Sequence, residues 1–197
     1  MIPDVDWYWV RHAPTGMTGL NGWTDVPAIL TDTKTLEFLD SYLPDDSAVL
    51  TSDLQRARDT AKAFCGDRLL LPPVEHLREI NFGQWEGKLP ESIRESDREQ
   101  AERFWADPTK ATPPGGESWQ QFRKRVDDYV EEFLAVMMGG SIIVVSHYGV
   151  ILSQIQQAKQ CEISELMGWE IPYYSITRLT LIGDDWVLRE FNVLPGS

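Results

Sequence analysis

Three places in the chain set a histidine or an arginine just behind an apolar run. Arg11-His12 follow Trp7-Tyr8-Trp9-Val10, Arg56 lies soon after Ala48-Val49-Leu50-Thr51, and His147 comes one residue after Ile142-Ile143-Val144-Val145. Two guanidiniums and two imidazoles gathered at one place would form a cationic pocket with forked donors. Arginine meets phosphate oxygens bidentately, and helix N-termini beside it add backbone N–H groups, so a phosphoryl group is the natural guest. A neutral imidazole nitrogen is a competent nucleophile toward phosphorus. Neighbouring arginines and burial both disfavour the imidazolium, which keeps the attacking ring in that neutral form. A leaving alkoxide would need a proton. Glu79, in Leu77-Arg78-Glu79-Ile80-Asn81-Phe82-Gly83, is the best acid candidate, because a partly buried carboxyl can keep its proton near neutral pH.

For these residues to meet, the runs that precede them must be strands of one parallel sheet, whose carboxyl ends share an edge. Residues 4–10, 48–51 and 141–146 read as such strands, and Leu69-Leu70-Leu71 as another short one. Residues 175–182 and 186–193 read as a terminal hairpin turned by Gly183-Asp184-Asp185. Helices are expected over 31–42, capped by Thr31 or Asp32, and from a Ser52 or Asp53 cap to about Phe64. A third follows the Ser118-x-x-Gln121 capping box and is ended by Gly139-Gly140, and after His147-Tyr148-Gly149 a fourth runs to about Lys159. Residues 81–116 hold one short helix among glycines, prolines and charges, with Glu99 and Arg103 spaced as a helical pair, and could cover the site. The order of elements indicates one α/β domain over residues 1–197, a three-layer α/β/α sandwich on a mostly parallel sheet.

Composition narrows the partners. The net charge of −13 disfavours nucleic acid and anionic membranes, both of which demand a basic surface, so an anionic substrate needs a local positive island. No apolar run approaches a membrane span, and no signal peptide is expected. Cys65 and Cys161 lie far apart, which fits a reducing cytoplasm and two small buried apolar residues. The terminal hairpin offers an edge through which a homodimer could pair.

Five blocks, in order, resemble the histidine phosphatase superfamily, the phosphoglycerate-mutase-like fold. They are Arg11-His12-Ala13-Pro14-Thr15, the stretch from Ser52 to Ala61, the stretch from Leu77 to Gly87, Gly115-Gly116-Glu117-Ser118, and Ser146-His147-Tyr148-Gly149. The resemblance implies that His12 accepts the phosphoryl group, that Arg11, Arg56 and His147 form the phosphate pocket, and that Glu79 protonates the leaving group and then activates water. It also implies no metal and no cofactor. Two positions depart from the family pattern. Ala13 replaces a glycine, in an extended conformation that the following Pro14 favours. Thr18 replaces a frequent asparagine; its hydroxyl can still donate one hydrogen bond to phosphate, with a shorter reach.

The expected activity is therefore a phosphomonoesterase working through phosphohistidine on a small phosphorylated metabolite. A cofactor-dependent mutase is the alternative within the family, disfavoured because Arg78-Glu79-Ile80-Asn81-Phe82-Gly83 resembles the phosphatase branches. A catalytically weak relative that binds phosphorylated ligands or a protein is the alternative of another class. Stretches 22–27 and 82–87 resemble α-ribazole phosphatases. His76 reads as a packing or surface histidine, Arg58 and Arg78 as salt-bridge partners, and Trp23 and Trp85 as packing residues near the mouth.

Overall fold

A computed structural model describes residues 4–137 and 139–196. The sheet is built on β1 (Val5–Arg11) and β3 (Gly140–Ser146), paired in parallel from Val5↔Gly140 to Arg11↔Ser146 without a break. Both strands are apolar on both faces because each face is covered. Trp7 and Trp9 of β1 and Ile142 and Val144 of β3 pack into one core, while Tyr8, Val10, Ile143 and Val145 pack into the other. The two indoles stack with centroids 5.3 Å apart.

β2 (Ala48–Thr51) lies outside β3, and β4 (Ile176–Ile182) and β5 (Asp185–Val193) continue the sheet beyond β1, giving the order β2-β3-β1-β4-β5. β2 and β3 run parallel to β1, whereas β4 is antiparallel to both of its neighbours. Helices α1 (Thr33–Tyr42) and α2 (Gln55–Phe64) supply Leu36, Leu39, Ala57, Ala61 and Phe64 to the core on one face. On the other face lie α3 (Pro90–Ser96), α4 (Arg98–Ala106), α5 (Trp119–Leu134) and α6 (Tyr148–Lys159). The three-layer sandwich expected from the sequence is thus present.

Several local expectations are corrected. Leu69-Leu70-Leu71 is not a strand: Leu69 is 67% exposed, and the stretch meets the sheet through the isolated bridge Val49↔Leu70. Neither Ser52 nor Asp53 caps α2, whose N-cap is Leu54. Ser52 is held as an extension of β2 by its N–H to the Val145 carbonyl, and the Asp53 carboxylate is occupied by Arg78 at 2.6 Å. Asp32 does cap α1, accepting from the Thr35 N–H at 3.1 Å, and the Ser118/Gln121 box caps α5 from both directions. α5 stops at Leu134, before Gly139-Gly140. The segment 81–116 holds two α-helices and a 3-10 turn at Gly83–Trp85, and the ion pair on α4 is Arg98–Glu102 at 3.2 Å, while Arg103 turns to the Lys110 carbonyl. Cys65 and Cys161 are half-buried free thiols. Among the described residues no helix is long and apolar enough to cross a membrane.

Candidate active site

The parallel register sets the centre of the site. Arg11 lies opposite Ser146, so the next residues of the two strands, His12 and His147, leave the sheet side by side. The His12 N–H reaches the Ser146 carbonyl at 3.0 Å, and the two imidazole centroids are 5.1 Å apart. Both rings are buried, and burial first, then the Arg56 charge, holds each histidine well below the usual imidazole range.

The hydrogen bonds assign the His12 tautomer. Nδ1 lies 2.6 Å from the Ala13 carbonyl, which can only accept, so Nδ1 carries the proton. Nε2 accepts from the Arg56 Nε–H at 3.2 Å and therefore holds a lone pair. Arg56, on the first turn of α2, is fully buried. Its other donors reach backbone carbonyls of the loop that follows β1: Thr24 at 3.0 Å, Asn21 at 3.2 Å and Gly22 at 2.7 Å. Thr60, one turn along α2, joins the two segments. Its hydroxyl accepts from the Ala13 N–H and donates to the Arg56 carbonyl.

Arg11 donates Nη1 to the Ile171 carbonyl at 2.5 Å and lies 3.9 Å over the ring of Tyr173, which in turn sits 5.6 Å from the His12 ring. The Nε of Arg11 and both ring nitrogens of His147 are buried and have no hydrogen-bond partner among the described residues. Unpaired buried donors on one edge beside a buried lone pair suit an oxyanion, whose several oxygens would satisfy them together.

Glu79 is buried at the same edge. Its Oε2 accepts the Gly149 N–H at the start of α6 at 2.9 Å, and its Oε1 accepts the Ile80 N–H at 2.9 Å. Those bonds and the charges of Arg56 and Arg11 favour the carboxylate, yet burial outweighs them and pushes the pKa up. A Cβ at Gly149 would collide with Glu79 Oε1, so glycine is what lets the carboxyl lie against the helix end. Beside Glu79 opens a cavity of about 330 Å³. Its walls include Phe82, Phe104, Trp105 and Pro108 from the 81–116 segment, and also Trp119 and Leu152, and among the described residues no Lys, Arg or His lines it.

Arg11, His12, Arg56, His147 and Glu79 are thus brought to one sheet edge. Thr18 is not tied to them: it is exposed and makes no side-chain hydrogen bond among the described residues. His76 stacks on Tyr129 and Arg78 pairs with Asp53, as read from the sequence. Arg58 makes no ion pair among the described residues, and its Nε is buried without a partner. Trp85 is buried against Phe104 and Trp105, whereas Trp23, 36% exposed, donates its indole N–H to the Glu79 carbonyl at 2.8 Å.

One residue missed in the sequence is Arg125 on α5. It donates to the carbonyls of His76 at 2.7 Å, Arg78 at 3.1 Å and Glu79 at 3.3 Å, and is paired with Glu117 at 2.8 Å. The loop bearing Glu79 is thereby pinned from behind. The only sequence cue was the placement of Arg125 one turn after the capping box.

A family model described as histidine phosphatase superfamily (branch 1) matches residues 7–194. The chain belongs to that superfamily. Among curated histidine phosphatase relatives, an adenosylcobalamin/alpha-ribazole phosphatase of Escherichia coli K12 is 30% identical over 151 residues, 75% of this chain and 69% of that protein. A 2,3-bisphosphoglycerate-dependent phosphoglycerate mutase of Rhizobium etli is 29% identical over 153 residues, 75% of this chain and 73% of that protein. The solved structure of Bacillus stearothermophilus YhfR superposes with a TM-score of 0.83 at 27% identity, covering 93% of this chain and 95% of that one. Identity hardly separates the named phosphatase from the named mutase, so the choice between those activities falls to the residues of this histidine phosphatase site.

Proposed function

We propose that the protein is a phosphomonoesterase acting on a small phosphorylated metabolite whose alcohol part is apolar. In this reading Nε2 of His12 attacks phosphorus, and the P–N bond forms as the P–O bond to the leaving group breaks. Arg11, Arg56 and His147 hold the equatorial oxygens. Glu79 gives its proton to the departing alkoxide, and the resulting carboxylate then takes a proton from the water that splits the phosphohistidine and returns orthophosphate. The arginines supply the positive charge that metal ions supply in other phosphoryl-transfer sites. Thr18 remains a candidate phosphate donor only through movement of its loop. The half-buried free thiols support action in a reducing compartment, the cytoplasm. The outer edge of β5 is where a homodimer could pair.

The observation that carries the choice of phosphatase over mutase is the wall of the cavity beside Glu79. Its size suits a small-molecule site, and among the described residues its ionisable lining is Glu79 and Tyr148, with no cation. A carboxylated sugar phosphate kept for a second transfer would find no counter-charge there. The 81–116 segment supplies one wall, which supports its reading as a cover.

A substrate panel tests this. Naphthyl phosphate should be hydrolysed with kcat/KM at least about tenfold above 3-phosphoglycerate, and no interconversion of phosphoglycerates should be seen with added 2,3-bisphosphoglycerate. Mutase turnover faster than hydrolysis would overturn the proposal.

A further inference from the structure

The stretches Gly22-Trp23-Thr24 and Phe82-Gly83-Gln84-Trp85-Glu86 are remote in the chain, and the reaction above gives Glu86 no part. Yet its carboxylate takes five donors. Oε1 accepts from the Trp23 N–H at 2.8 Å and the Phe82 N–H at 3.1 Å. Oε2 accepts from the Gly22 N–H at 3.1 Å, the Thr24 N–H at 3.2 Å and the Thr24 hydroxyl at 2.7 Å. The opposite side of the same loop is held by Arg56 through the carbonyls of Asn21, Gly22 and Thr24.

The peptide unit joining Asn21 to Gly22 therefore has its C=O on a cation and its N–H on an anion, and so does the unit joining Gly22 to Trp23. Hydrogen bonds to ionised groups are the strong ones, and chains of them polarise one another. Two peptide planes become a spacer between Glu86 and Arg56. A Cβ at Gly22 would collide with Glu86 Oε1 and the Ile80 carbonyl, so the close approach needs glycine.

We propose that Glu86 is a positioning residue for Arg56, acting through the backbone of residues 21–24 to hold the guanidinium against Nε2 of His12. The catalytic consequence rests on the reading of Arg56 as a phosphate ligand. With the carboxylate gone, the N–H groups of residues 22–24 turn toward water, the carbonyls behind them shift, and the guanidinium loses its seat.

The test is a double-mutant cycle on kcat/KM for an aryl phosphate, combining E86Q with R56K, together with exchange of the Arg56 Nε–H with solvent by NMR. E86Q alone should lower kcat/KM by about 100-fold, the scale of a small misplacement of a catalytic group. In the R56K background it should cost no more than about twofold, since its route is already cut. In E86Q the Arg56 Nε–H should exchange faster, and formate should restore part of the activity of E86A. Equal losses from E86Q in both backgrounds, an unchanged Nε–H in folded E86Q, or E86Q activity within about twofold of the unsubstituted protein would each overturn the proposal. Should E86Q fail to fold, E86D, which keeps the charge one methylene short, takes its place in the cycle. If R56K alone keeps full activity, the phosphate-ligand reading fails, while the exchange measurement still decides whether Glu86 holds Arg56.

Discussion

The Nε–H of Arg56 donates to Nε2 of His12 across 3.2 Å, while Nδ1 of the same ring is spent on the Ala13 carbonyl. The lone pair proposed as the nucleophile is thereby oriented, and in that proposal a phosphate oxygen that took over the Arg56 N–H would leave it facing phosphorus. Replacing His12 with Ala should lower turnover of an aryl phosphate by at least about 1,000-fold. Circular dichroism should show the fold intact. Substantial turnover by folded H12A would remove His12 from the nucleophile's role.

Glu79 should matter in proportion to how much the leaving group needs a proton. E79Q is expected to lose on the order of 100-fold or more against alkyl phosphates and much less against nitrophenyl phosphate. Burial raises the carboxyl pKa, so the acid form survives toward neutral pH and is lost as pH rises through that raised value. The alkyl-phosphate rate should therefore fall on the alkaline side, with the fall missing in E79Q. Identical pH–rate profiles for the two enzymes would dismiss Glu79 as the acid.

Gly149 should be intolerant of even one carbon. G149A sets a methyl group against the Glu79 carboxyl and should reproduce the leaving-group dependence of E79Q with Glu79 itself unchanged. A variant with wild-type rates on alkyl phosphates would show that the carboxyl has room to move without consequence.

The buried histidines should also mark the acid side of the stability curve. Their folded pKa values lie well below 6.5, so between that ordinary value and the folded one the unfolded chain binds more protons. Stability is then held above about pH 6.5 and lost as pH falls, by up to about 1.4 kcal/mol per pH unit for each histidine. Glu79 works in the opposite sense: its contribution is present below its ordinary value of 4.5 and is lost as pH rises through its raised one. Urea midpoints from pH 5 to 8 should show a shallower acid slope in H147N than in the unsubstituted protein. An unchanged slope would mean that His147 is not held neutral by the fold.

What the sequence displayed and what it hid differ by the kind of partner involved. β1 and β3 were legible because strands covered on both faces must be apolar throughout, and the polar residues behind them then fall at the strand ends. Arg11, His12 and His147 were legible for the same reason, and Arg56 because it opens the helix that follows β2. Leu69-Leu70-Leu71 misled because composition favours a strand, while the chain offers the sheet only isolated contacts there. The α2 cap misled because Ser52 and Asp53 had other claims on them, from the sheet and from Arg78. Glu86 and Arg125 stayed hidden because most of their partners are backbone N–H and C=O groups, which every residue carries and which leave little side-chain pattern to read.

The unbroken pairing of β1 with β3 has a bearing on how this chain can vary. Between Val5 and Arg11 no residue can be gained or lost without cost, since a shift of one position turns each side chain to the opposite face and undoes the side-by-side exit of His12 and His147. Length changes are tolerated better in the stretches that leave the sheet edge, and some of those stretches, such as 81–116, also wall the cavity beside Glu79. Natural diversification would then reshape what is accepted while the reacting groups keep their spacing.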